Sequence, residues 1–127
     1  MMKVLVVDDQ EDICEFLRDL LELHGCGVIT AFSGEEALKV TKNRLYDAAF
    51  IDVCLPGMDG VETMKILRER RPEARYVLMT GANIEDRVDE GIEDGAETCL
   101  QKPFHINEIL SVIGAFPESG AADSHPG

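Results

Sequence analysis

No apolar run in this sequence approaches the roughly 20 residues needed to cross a bilayer. The start, Met1-Met2-Lys3, leads into a short apolar run followed at once by acids, the wrong order for a signal peptide. A soluble, cytoplasmic protein without membrane contact is therefore expected. Basic residues are scarce too: 12 Lys and Arg stand against 25 Asp and Glu, a net charge of −13. Nucleic-acid binding depends on neutralising phosphates with Lys and Arg. No basic run exists, so direct nucleic-acid binding is not expected. Cys14, Cys26, Cys54 and Cys99 show neither C-x-x-C spacing nor a nearby His cluster, which leaves no zinc or redox motif. They read as small buried hydrophobes. His24, His105 and His125 have no neighbours that suggest a metal, and no internal repeat is present.

The chain has 127 residues, enough for one domain with a real core, and its 45% apolar content is that of a globular protein. Strand-like and helix-like patterns alternate five times. That predicts an α/β fold: a doubly wound, five-stranded parallel sheet of order 2-1-3-4-5, with helices on both faces. The domain spans residues 1–116. Residues 117–127 have linker composition and are expected to be a disordered tail or the start of a linker.

Helix 1 is predicted over 10–24, with Ile13, Phe16, Leu17, Leu20 and Leu21 at helical spacing and Gly25 as its stop. Ser33-Gly-Glu-Glu36 is a capping box for helix 2, whose inward face holds Ala37, Leu38 and Thr41. Helix 3 runs over 61–70 and Pro72 ends it. Helix 4, over 84–94, carries only the narrow stripe Ile84, Val88, Ile92, which Gly91 interrupts. It should be the least firmly docked element. Helix 5 is expected over 106–116, with Glu108 in a capping-box position relative to His105.

Four groups of side chains stand at the ends of the strand-like runs Val4–Val7, Ala48–Ile51, Tyr76–Met79 and Cys99–Gln101: the pair Asp8-Asp9, then Asp52, Thr80, and Lys102 followed by Pro103. Ligands of open parallel sheets gather outside the carboxyl ends of the strands, so these residues should converge. Three carboxylates crowded at one edge repel each other, and Mg²⁺ suits them: it takes oxygen ligands, keeps several waters and commonly pairs one or two carboxylates with a phosphate. Asp9 and Asp52 would bind it directly and Asp8 through a water. A backbone carbonyl just after Asp52, that of Cys54, would complete the set. With charge drawn off, Asp52 can attack phosphorus to form an aspartyl phosphate. Lys102 supplies a mobile positive charge for phosphate oxygens, and the Thr80 hydroxyl a hydrogen bond. Lys102-Pro103 fits a cis peptide that would aim the lysine inward.

Val-Val-Asp-Asp at 6–9, Asp52 followed by Leu-Pro-Gly-Met-Asp-Gly, Met-Thr-Gly at 79–81, and Gly95-Ala96 leading to Lys102-Pro103-Phe104 all occur in order. On these motifs the chain resembles a bacterial response-regulator receiver domain from about residue 3 to 116. The resemblance implies two-component signal transduction. A sensor histidine kinase or phosphotransfer protein, docking on helix 1, donates a phosphoryl group to Asp52 with Mg²⁺ required. Thr80 then moves toward the phosphate, and the helix 4–strand 5–helix 5 surface changes to recruit a downstream target or output domain. Homodimerisation through that face is compatible with the sequence. Such a domain is a phosphoacceptor, not a turnover enzyme.

Three positions bear on how far the family pattern carries over. Receivers usually carry Tyr or Phe three residues before the lysine; here Cys99 replaces that switch residue, and packing is its expected role. Cys54 and Ala82 occupy positions that tune loss of the phosphoryl group, and neither can orient a water, so slow dephosphorylation is expected. Taken alone, Asp8-Asp9 could merely cap helix 1. A haloacid-dehalogenase-type phosphatase would need Asp-x-Asp after strand 1, and a flavodoxin-like carrier a hydroxyl- and glycine-rich loop there; neither is present. A phosphorylation-independent interaction module is the alternative kept open by Cys99.

Overall fold

The computed structural model describes residues 1–81 and 85–116, and for Glu85 and Asp86 only the backbone. Five strands and five helices alternate: β1 (Lys3–Val7), α1 (Glu11–Leu23), β2 (Gly27–Ala31), α2 (Gly34–Val40), β3 (Ala48–Asp52), α3 (Gly60–Arg70), β4 (Arg75–Thr80), α4 (Glu85–Glu93), β5 (Ala96–Gln101) and α5 (Ile106–Gly114). The strands are all parallel, in the order β2-β1-β3-β4-β5. This is the doubly wound arrangement expected from the alternation. The tail 117–127, Ala82 and Ile84 lie outside the described residues.

Period-two alternation divides the core. Leu5 and Val7 of β1, Ala49 and Ile51 of β3, and Tyr76 and Leu78 of β4 pack against Ala37 of α2 and Val61, Met64 and Leu67 of α3. Their neighbours Val4, Val6, Phe50, Val77 and Met79 face the other way, onto Leu17, Leu20 and Leu21 of α1 and Ile109 of α5. Because β1 and β3 are covered on both faces, they read as unbroken apolar runs. The edge strand β2 is only half-buried over most of its length.

Helix boundaries follow local chemistry. Ser33 caps α2 by accepting the Glu36 N–H at 3.0 Å, as the capping box predicts, while the Glu36 carboxylate accepts from Phe32 N–H. Asp59 caps α3 by accepting the Glu62 N–H at 3.0 Å. At the end of α1, Gly25 takes φ +87° and its N–H donates to Glu22 O, while the Cys26 N–H returns to Leu21 O. That left-handed residue is the expected glycine stop. Glu108 accepts the His105 N–H at 2.8 Å at the start of α5. This helix ends at Gly114, two residues before the predicted Phe116.

Three packing expectations are corrected. Phe16, at helical spacing with the apolar residues of α1, is 37% exposed; Cys14 and Leu17 hold the buried positions beside it. Ile92, assigned to the inward stripe of α4, is 42% exposed. It is Gly91 that meets the core: a Cβ there would stand 2.3 Å from Leu78 Cδ1, so the missing side chain lets the helix backbone approach β4. Finally, Cys54 is exposed, because the chain leaves the sheet after buried Val53 and turns toward solvent. Cys14 and Cys26 are buried as expected, and half-buried Cys99 packs against the α2–α3 core.

Candidate functional site

Strand pairing carries the polar residues to one place, because the ladder continues past the apolar runs. The Asp8 N–H donates to Ala31 O (3.1 Å), the Val53 N–H to Met79 O (2.9 Å) and the Lys102 N–H to Thr80 O (2.8 Å). Asp8, Asp52, Thr80 and Lys102 thus sit at or beside the last rung of a strand. Asp8 and Asp52 are buried, Asp9 is exposed, and one carboxylate oxygen from each of the three lies within 4.8 Å of the other two. Lys102 Nζ stands 2.7 Å from Asp8 Oδ2 and 3.1 Å from Asp52 Oδ2. The Lys102–Pro103 peptide is cis. Thr80, at the end of β4, is buried as well.

The second oxygens of Asp8 and Asp52 are fixed by the backbone. Asp8 Oδ1 accepts the Gln10 N–H at 2.9 Å, and Asp52 Oδ1 accepts the Cys54 N–H at 3.0 Å. Asp8 therefore does not cap α1; Gln10 occupies the cap position, with no side-chain cap bond. Its amide oxygen instead accepts from Lys102 Nζ at 3.1 Å. The Cys14 thiol donates to the Asp8 carbonyl at 3.3 Å, anchoring the acidic turn from below.

The electrostatics are those of an over-charged pocket. Burial pushes the Asp52 carboxyl above the usual carboxylate range; the Cys54 N–H opposes this, the charge of Asp8 adds to it, and Lys102 offsets part. Burial alone would lower the Lys102 ammonium, yet its contacts with Asp8 and Asp52 leave it above its ordinary value. Lys102 is thus a firm cation. Burial also pushes Cys14 up to about 11, and burial together with the Asp52 charge raises Cys54 and Cys99. All three are thiols at neutral pH.

One cation does not satisfy three carboxylates. Asp8 Oδ2 is fully buried, and the approach of Lys102 gives it opposite charge without a hydrogen bond of proper geometry. Three clustered carboxylates with a single ammonium among them leave excess negative charge, and an all-oxygen donor set of that kind fits a hard divalent cation. Gly60 makes room for this geometry. A Cβ there would stand 2.0 Å from the Asp52 carbonyl oxygen, and the Gly60 N–H donates to Val53 O at 2.9 Å. The start of α3 is thereby pressed against the end of β3.

Residues 4–114 match the family model described as the response regulator receiver domain. The chain belongs to that family. It is 40% identical over 113 residues to the alkaline phosphatase synthesis transcriptional regulatory protein PhoP of Bacillus subtilis, covering 89% of this chain and 47% of PhoP. It is 38% identical to the transcriptional regulatory protein CpxR homolog of Haemophilus influenzae, over 98% of this chain and 54% of that protein. The receiver therefore spans about half the length of these relatives. Among solved structures, Vibrio cholerae chemotaxis protein CheY4 superposes with a TM-score of 0.84 at 30% identity, covering 92% of this chain and 99% of that one. A CheY-like receiver domain from Methanospirillum hungatei gives 0.86 at 26% identity, over 90% and 91% of the two chains.

The receiver's sequence motifs led to Asp8, Asp9, Asp52, Thr80 and Lys102. Gln10 and Cys14 were not singled out as site residues. Their signal was position alone: Gln10 directly follows the acidic pair, and Cys14 lies one helical turn further on. Cys99 sits opposite Leu78 in the β4–β5 ladder. Its side chain points to the α2–α3 side of the sheet, the side that Tyr76 and Leu78 of β4 also face.

Proposed function

We propose that Asp52 is the phosphoacceptor of this receiver and that a sensor histidine kinase or phosphotransfer protein is the donor. The observation that carries the reading is Lys102 Nζ placed between Asp8 and Asp52, with a third carboxylate in the same cluster. An oxygen of Asp52 attacks the donor phosphorus; the P–N bond to the donor histidine breaks as the P–O bond to Asp52 forms. Lys102 is already in ion contact with the nucleophile and can follow the charge that builds on phosphoryl oxygens. Gln10 restrains Lys102 with a neutral oxygen and so adds no further negative charge. Thr80 stands at the neighbouring strand end, where its hydroxyl can meet a phosphoryl oxygen.

Asp8, Asp9, Asp52 and the Cys54 carbonyl would hold Mg²⁺, which would offset carboxylate charge and neutralise phosphoryl oxygens. The excess of three clustered carboxylates over the one Lys102 ammonium supports that assignment. Residues 1–116 form the signalling unit, and 117–127 are a tail or the start of a linker. The output is a changed protein-contact surface across α4, β5 and α5, met by a downstream target, an attached output domain or a second copy. The working compartment is the cytoplasm. With Cys99 in place of an aromatic rotor, the readout rests on Thr80 and α4.

Intact mass after incubation with Mg²⁺ and acetyl phosphate tests this reading. We expect one added phosphoryl group, absent in Asp52→Asn and absent without metal. No mass gain under any condition would favour a phosphorylation-independent interaction module. Cys54 offers no acid, base or amide to orient a water, so the phosphoryl group should persist for many minutes or longer. A lifetime of seconds would count against that part.

A further inference from the structure

Helix α4 has little apolar hold on the domain. Among its described side chains none joins either buried core; Gly91 alone is buried, Val88 is half-buried and Ile92 is exposed. What faces its neighbours instead is a chain of alternating charge. Arg87 Nη2 donates to Asp59 Oδ2 and its Nη1 to Glu90 Oε1. The second oxygen of Glu90 meets Lys65 Nζ of α3, which also stands 3.3 Å from Asp94 Oδ2. Asp59, Arg87, Glu90, Lys65 and Asp94 thus run as −, +, −, +, − along the seam between α3 and α4.

We infer that α4 is docked by an ionic latch centred on Arg87, which takes the place of the apolar packing that holds the other helices. An isolated exposed ion pair contributes little, but several charges joined in a network are the exception. Here the network competes against almost nothing. The latch also has a defined anchor. Asp59 is fixed because its other oxygen caps α3, and it ends the loop that begins at Asp52. Lys65 beside Glu90 holds that carboxyl below its usual range, as expected of a working pair. The inference does not depend on phosphorylation of Asp52. It concerns how readily α4 leaves the domain in the resting state.

Salt distinguishes this hold from an apolar one. The screening length falls from ~30 Å at about 0.01 M to ~3 Å at about 1 M salt, whereas burial of apolar surface is not weakened by NaCl in this way. Hydrogen exchange of the full chain, followed by mass spectrometry on peptides from α4 and α1, reads both. We expect α4 amides to exchange roughly fivefold or more faster at the higher salt, with α1 unchanged. Arg87→Met keeps the aliphatic stem, and Asp59→Asn keeps a capping oxygen but removes the charge. Both should exchange fast at low salt and lose most of the salt response, while Arg44→Met, a control at the far end of the domain, should behave as wild type. Salt-independent exchange of α4, or exchange in Arg87→Met and Asp59→Asn equal to wild type, would overturn the latch.

Discussion

At the scale of single residues, the site is a balance between buried charges. Burial raises the Asp52 carboxyl, so its ionised form is held at a cost to the fold. Asp52→Asn should therefore abolish phosphoryl acceptance and yet raise the thermal midpoint at neutral pH; a lower midpoint would mean that its contact with Lys102 outweighs the burial cost. Gln10 tests the opposite case, a neutral group that organises a charged one. Gln10→Ala removes the oxygen 3.1 Å from Lys102 Nζ. It should slow phosphorylation by acetyl phosphate roughly fivefold, the scale of one hydrogen bond, with little change in stability. The signal for Gln10 in sequence was weak because a glutamine beside two aspartates has many ordinary roles. Only the 92-residue return of Lys102 to its side gives it this one.

At the scale of elements, the strands and most helix boundaries were legible because short-range chemistry sets them. Ser33 with Glu36 opens α2 and Gly25 closes α1 in the sequence as in the fold. The facing of α1 and α4 was less legible. Periodicity marks which residues share a side of a helix, but not how far that side rolls toward the sheet. Phe16 and Ile92 lie at the margins of their stripes and end up exposed. Gly91 looked like an interruption and is instead the point of closest approach to Leu78. The same logic makes Gly60 a test of how the loop after β3 is held. Gly60→Ala sets a Cβ against the Asp52 carbonyl, where backbone rather than a flexible side chain must yield. We expect a loss of about 3 kcal/mol in denaturant unfolding, together with slower phosphoryl acceptance because Asp52 itself must shift.

Across the whole molecule, two stability levers stand apart. Tyr46 and Tyr76 are buried, share a hydrogen bond between hydroxyls at 2.9 Å, and the Tyr76 hydroxyl also reaches Arg71 O at 2.9 Å. Burial raises both phenols above their ordinary value. A phenol raised in the folded state contributes stability that is complete below the unfolded value near 10 and is lost as pH climbs past it. Unfolding midpoints should thus fall steeply above about pH 10, and Tyr76→Phe should cost about 1 kcal/mol at neutral pH. The second lever is the acidic cluster. Mg²⁺ should raise the unfolding free energy by mass action, by about 2.7 kcal/mol at a hundredfold excess over its dissociation constant, and the midpoint with it. Chelation should reverse the gain, and Asp9→Asn should blunt it.

The order of the strands along the chain has a bearing on how the molecule comes into being. Asp8 follows β1 and Asp52 ends β3, strands that are neighbours in the sheet, whereas their counter-charge follows β5, the last strand to be synthesised. A nascent chain that has assembled four strands holds two inward carboxylates without the lysine that pairs with both. The sheet's outermost strand therefore completes an electrostatic circuit as well as a ladder. Chains halted before Lys102 leaves the ribosome should stay loosely closed at this edge, the same edge at which the finished domain awaits its phosphoryl group.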